Sequence, residues 1–386
     1  MFFPEKEVLL KTIFRPRCTS LLNINIENTR CSAAGVAKFL FYHPNILFIN
    51  FENFSPVFQY ITSNDFSSFA RTNKKHVPAF NLRKLNFSGG ELTEYGFVTA
   101  VTSCPFLDTL VARQTDLSNT LLAELMTVTT LTSLHLGNSS FTRHWLNFED
   151  GVLPLLWSVG ARLLSLKLEK FSRVDVLQTG SLCPRLHTLR LSCIGSYVPV
   201  FDQSRIVFDK LVDLEILNTR GAHVYAKAIH QILDGAHHLS NASFQFIDTL
   251  NDEVWREILD INPLKELESL TIDQCHSVSS YSLDDIINRT NLLSSLACWS
   301  CRFITETDRD SLDRMIKLSN YDLHFSWYPF TGEEAPMPLE DIEDDYEEEE
   351  EEDSLEEEED HETYEFLNYW NNPPLPGRAL GKPKFL

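Results

Sequence analysis

No stretch of the 386-residue sequence approaches the roughly 20 consecutive apolar residues of a membrane helix, so no spanning helix is expected. Glu5, Lys6 and Glu7 put charges where a secretory signal would carry its apolar run, which points to the cytoplasm or nucleus. Basic side chains are scarce. The 33 Lys and Arg face 55 Asp and Glu, for a net charge of −22, the wrong sign for holding nucleic acid or an anionic membrane. Also missing are the phosphate loop G-x-x-x-x-G-K-S/T, the H-E-x-x-H zinc helix, the G-x-S-x-G nucleophile elbow and the kinase signature. Without them neither an enzyme nor a cofactor is expected. Cys298-Trp-Ser-Cys301 is the sole C-x-x-C and lacks a second pair at zinc-finger spacing. Both cysteines read as small buried hydrophobes, and the eight cysteines of a chain with no secretory signal do not suggest a disulfide framework.

What is present is organised in two ways. The acid is concentrated: 18 of the 23 residues from Glu340 to Glu362 are Asp or Glu, so the rest of the chain carries only −4 of the −22. Through most of that remainder runs a repeat, L-x-x-L-x-L with other apolar residues allowed. Clear copies begin at Leu82, Leu131, Leu163, Leu186, Leu211 and Leu267, and weaker ones at Leu21, Ile46, Leu107, Leu239, Leu293 and Leu318. Their central residues fall at 24, 49, 85, 110, 134, 166, 189, 214, 242, 270, 296 and 321, a mean step of about 27 residues, inside the range of leucine-rich repeats. A unit that short cannot bury its own apolar face; stacked copies can.

Between the copies, Thr120–Met126, Val224–Leu233 and Tyr281–Ile287 carry apolar residues at helical spacing. Ser282, with Asp285 three residues on, reads as the cap of the last of these. A strand and a helix per unit predict an α/β solenoid over residues 20–330, a horseshoe of about 12 repeats with parallel strands inside and helices outside. The two longest steps, 49 to 85 and 134 to 166, predict rim loops at Arg71–His76 and His144–Asp150.

The repeats resemble the ribonuclease-inhibitor-like leucine-rich proteins, in particular the leucine-rich F-box-type substrate receptors of cullin–RING ubiquitin ligases. The resemblance is carried by Leu267–Val278, where Cys275 ends the strand and a helix follows, and by Leu293–Cys301, where Cys301 stands at the same place. It implies a non-enzymatic protein-binding scaffold that recognises substrates for ubiquitin-dependent degradation, with a cullin–RING adaptor as one partner. No complete F-box is present. Residues 1–19 read either as a cap over the first repeat or as a partial F-box-like docking helix, since Phe3–Phe14 offers a proline followed by an amphipathic pattern. An acidic-tailed nuclear adaptor that binds basic proteins such as histones is the alternative. A Ran-type GTPase activator ranks last, because its asparagine-rich consensus is missing.

Strand alternation sends the third, fifth and seventh positions of each repeat to the open face. Five successive repeats there offer Lys84, Arg113, His135, Lys167 and Arg190, with Glu169 the one acid among them; later repeats turn to Asp213, Glu215 and Asp273. The expectation is a basic stripe that receives an acidic peptide, with Trp299 as an anchor near the far end. Residues 331–386 are too acidic to bury a core and read as a disordered tail. The tail carries a possible phosphosite at Ser354 and an aromatic segment, Tyr364–Trp370, and its acid run is a candidate competitor for the stripe.

Overall fold

The computed structural model describes residues 20–331, apart from 28, 52, 74–77, 90–91, 140–145, 199–207, 219–225, 291 and 320–321. The chain divides after Glu333 into two units, and the described residues all belong to the first. The N-terminal cap or docking helix, Ser354 and the acid run lie outside the described residues.

Each repeat contributes one short strand: β1 (Asn23–Asn25), β2 (Phe48–Asn50), β3 (Lys84–Asn86), β4 (Thr109–Thr115), β5 (Ser133–Asn138) and β6 (Ser165–Glu169). After the small β7 (Arg173–Val174) come β8 (Thr188–Ser192), the small β9 (Ser196–Tyr197), β10 (Asp213–Leu217) and β11 (Asn241–Gln245). The series closes with β12 (Ser269–Asp273), β13 (Ser295–Trp299) and β14 (His324–Tyr328). Ten of them form one parallel sheet in the order β3-β4-β5-β6-β8-β10-β11-β12-β13-β14, so each repeat lies beside its neighbours in sequence. β1 and β2 pair separately, and β7 pairs β9 in a third small sheet. This is a leucine-rich-repeat solenoid.

The register shows why the leucine spacing dictates the fold. Leu110, Leu134, Leu166, Leu189, Leu214, Ala242, Leu270 and Leu296 stand side by side across the sheet, all buried. In β6 the pattern Ser165-Leu166-Lys167-Leu168-Glu169 alternates half-buried and buried residues, as a strand with one face on a core must. A fully buried leucine is worth about 2–3 kcal/mol, and each spine leucine gains it only because the adjoining repeat covers it. At the N-terminal end the filling is aromatic: Phe41, Phe54, Phe58, Phe66, Phe80 and Phe87 are all buried.

A backbone feature recurs near the ends of six strands. Gln114, Lys170, Cys193, Phe246, Gln274 and Ser300 each lie four residues past the central spine residue, and all have φ between 50° and 57°. In this left-handed turn the amide still reaches the next strand: Lys170 donates to the Ser192 carbonyl at 2.9 Å, Cys193 to Leu217 at 2.7 Å and Gln274 to Trp299 at 2.9 Å. The residue after the turn swings back into the core, which places Phe171, Ile194, Ile247, Cys275 and Cys301 there. None of the six is glycine, so each costs about 1–2 kcal/mol, offset by the added ladder bond and the buried neighbour.

Four expectations need correction. The last repeat is centred on Phe325, which pairs with Leu296, and not on residue 321; Leu318 instead ends the helix Glu306–Leu318 and is exposed. Ser282 does not cap its helix. Ser279 caps Ser280–Arg289, while the buried Ser282 hydroxyl donates to Asp252. Arg71 lies not in a rim loop but near the end of an extra helix, Asn64–Thr72, which takes up most of the first long step; residues 74–76 fall outside the described residues. Of the second predicted loop, Phe148–Asp150 belong to a wide helical turn, Phe148–Val152, that runs into the helix Leu153–Val159.

Candidate functional site

Because the register is constant, the open face is a grid of three rows. The first row runs Lys84, Thr109, Ser133, Ser165, Thr188, Asp213, Asn241, Ser269, Ser295, His324, and is rich in hydroxyls. The second runs Asn86, Val111, His135, Lys167, Arg190, Glu215, Ser243, Thr271, Ala297, Ser326. The third runs from Gly137 through Glu169, Ser192, Leu217, Gln245 and Asp273 to Trp299 and Tyr328. Neighbours along a row are about 4.8 Å apart.

The sequence-derived stripe occupies this face, but most of its charge is already partnered. Glu169 accepts from Arg113 Nε at 3.0 Å and lies 2.6 Å from His135 Nε2. Arg113 reaches it from two strands away because Gly137 stands between them. A Cβ at 137 would lie 3.2 Å from Glu169 Cβ and 3.4 Å from Arg113 Cα. Burial pushes the Glu169 carboxyl up, but the hydrogen bond and charge of His135, with Arg113, hold it below its ordinary value. Arg190 pairs with Glu215 through Nε at 2.9 Å. Asp213 accepts from Asn241 Nδ2 at 2.7 Å.

Lys167 is different. It stands between His135 and Arg190 and, among the described residues, makes no hydrogen bond or ion pair; Glu169 and Glu215 on either side are held by other cations. Burial, with Arg190 beside it, lowers its ammonium from the ordinary lysine value. It opens on a shallow trough of about 460 Å³, with Ser165, Thr188, Arg190, Ser243 and Thr271 among its walls. Lys84 lies exposed at the start of the first row of the ten-stranded sheet, three strands from Lys167. Trp299 lies at the far end of the third row, next to Tyr328.

Sign-counting along the rows missed Glu169 and Glu215 as organisers, and the misplaced last repeat hid Tyr328 and Phe330. Leu323, Phe325 and Trp327 alternate as a strand should, and that signal marks the true register. The thiols of Cys275 and Cys301 point into the core, donating to the carbonyls of Phe244 at 3.6 Å and Ile272 at 3.7 Å. Burial pushes the Cys183 thiol up to about 12 and raises that of Cys275 further, the opposite of what a metal ligand or nucleophile needs.

No protein-family model matches the sequence, and no curated protein matches it. Among solved structures the chain is similar to the Rad7–Elc1 complex of yeast, with a TM-score of 0.30 and 13% identity over 64% of this chain and 84% of that one. It is also similar to TLR13 in complex with ssRNA13 (TM-score 0.41, 13% identity, 81% of this chain and 50% of that one). A third is the leucine-rich-repeat-containing protein LegL7 of Legionella pneumophila (TM-score 0.41, 14% identity, 81% of this chain and 94% of that one). Similarity at this level carries no argument, and the assignment to a leucine-rich-repeat solenoid stands on the spine and register described above.

Proposed function

We propose that this chain is a non-enzymatic protein-binding scaffold that captures an acidic segment of a partner on the open face of its sheet, and that it serves as a substrate receptor in ubiquitin-dependent degradation. The observation that carries the first part is Lys167. It is a cation partly withdrawn from water at the β6 edge of a trough, with no ion pair of its own while Glu169 and Glu215 are engaged by other cations. A carboxylate from a partner would relieve that loss of hydration, and the hydroxyls of Ser165, Thr188 and Ser243 would supply donors around it. The second part is supported by the cysteine-ended repeats at Cys275 and Cys301, whose pattern resembles that of the F-box receptors.

Affinity capture from cells with the full chain and with Lys167→Glu tests both parts. The wild-type chain is expected to retain a cullin adaptor together with acid-rich substrates. The variant should lose the substrates and keep the adaptor. Recovery of core histones or a small GTPase in place of the adaptor would refute the ligase reading. Equal substrate capture by wild type and variant would refute the role of the trough.

A further inference from the structure

We infer that the carboxyl ends of β12, β13 and β14 form a seat for a cationic side chain, arginine or lysine, carried by a bound protein segment. Asp273 supplies the charge, and Trp299 and Tyr328 supply the ring faces. The inference deepens the scaffold reading and uses the same face of the sheet, but its residues are separate from the Lys167 trough.

Asp273, Trp299 and Tyr328 are consecutive in the third row. Both rings are open to solvent, at 36% for Trp299 and 63% for Tyr328, and Phe330 adds a third at 43%. Their positions are fixed. Trp299 Nε1 donates to Ser326 Oγ at 3.3 Å and its ring meets Tyr328 edge-on at 6.3 Å between centroids; Phe330 packs edge-on against His276 at 5.1 Å. Rings held in place by their own strands lose little freedom when a ligand arrives.

The carboxylate decides the chemistry of the occupant. Asp273 accepts from Gln245 Nε2 at 2.7 Å and, among the described residues, has no ion pair with any Lys or Arg. Burial raises its carboxyl above the ordinary value, an effect reduced by the Gln245 hydrogen bond and the charge of His276. An apolar side chain laid over the rings would deepen that burial and leave the carboxylate uncompensated. A guanidinium or ammonium meets the negative ring faces and the carboxylate together, so both attractions favour the same charge. From Lys167 on β6 to Asp273 on β12 is four strand spacings, about 19 Å, which an extended chain covers in about six residues. A partner segment that uses both sites therefore carries an acid and a base about six residues apart.

The test follows the indole resonance of Trp299 in the full-length, 15N-labelled protein, assigned by its loss in Trp299→Phe, during titration with N-acetyl-arginine amide, N-acetyl-lysine amide and N-acetyl-norleucine amide. The two cationic amides should shift the resonance saturably, and the norleucine amide should not. Asp273→Asn, which keeps an oxygen for Gln245, should weaken the response about fivefold or more. Lys167→Glu should leave it unchanged, so failure of the trough reading would not remove this one. An equal response to the norleucine amide, no saturation, unaltered affinity in Asp273→Asn, or loss of the response in Lys167→Glu would each overturn the seat.

Discussion

Replacing Glu169 with glutamine removes one negative charge and little else, so it isolates what that charge contributes to the fold. Its side chain is 18% exposed, against 14% for His135 and 38% for Arg113. A charge-assisted hydrogen bond in the sheltered position of His135 is worth about 1.5–3 kcal/mol. The half-exposed Arg113 bridge adds at most about 1 kcal/mol because solvent screens it. Glutamine still offers an oxygen to one partner, which returns part of that. The expected loss is about 1.5–2.5 kcal/mol at pH 7, read as a fall of roughly 0.5–1 M in the urea midpoint. The pH dependence provides an internal control. Since the folded state holds the Glu169 carboxyl below its ordinary value, the stabilisation is present above the unfolded-state value near pH 4.3 and is lost as pH falls through the lower folded value. The gap between wild type and Glu169→Gln should therefore be full at pH 7 and narrow below about pH 4. Coincident midpoints at pH 7, or a gap that persists undiminished at pH 3, would show that the cluster does not act through its charge. Gly137→Ala is the geometric counterpart: it adds no charge but crowds Glu169 against Arg113, and it should reproduce part of the loss, the share that runs through the Arg113–Glu169 pair narrowing at low pH in the same way.

Two further predictions concern the backbone. Gln114→Gly relieves a left-handed residue whose side chain is exposed, and after the greater unfolded-state freedom of glycine is subtracted it should gain up to about 1 kcal/mol in denaturant unfolding. Asn138 is buried; its Oδ1 accepts from the Leu146 amide at 2.7 Å, and its Nδ2 donates to the Leu146 and Lys170 carbonyls at 3.1 and 2.9 Å. Asn138→Ala should cost about 2–4 kcal/mol and abolish the slow hydrogen exchange of the Leu146 amide.

The spine was legible because a hydrophobic spacing is a statement about burial, and burial is what the repeat must achieve. Eleven of the twelve strand centres follow from the spacing of leucine and other apolar residues alone. The twelfth failed at the end of the stack. There Leu318 satisfies the spacing while sitting on an exposed helix end, and Phe325, one of a Leu323-Phe325-Trp327 alternation, takes the strand position. The left-handed turns were not legible at all. Their residues are Gln, Lys, Cys, Phe, Gln and Ser, which share no side-chain chemistry, because the constraint acts on the backbone amide and on the following side chain.

The charges show the difference between knowing where residues are and knowing what they do. The rows could be written down from the sequence, and with them Arg113, His135, Lys167 and Arg190 as a run of cations. Whether a run of like charges forms a field depends on the reach of the acids nearby, and reach is set by what lies between. Gly137, which carries no side chain, lets Arg113 span two strands to Glu169; Glu215 stands one strand from Arg190 and takes it. After those pairings Lys167 is the cation left on the trough. A partner that depended on the whole stripe would have to break three pairings to bind, those of Arg113 and His135 with Glu169 and that of Arg190 with Glu215. Under the proposed function, one that brings a single carboxylate to Lys167 breaks none, and for that reason the trough, more than the stripe, would define what this face selects.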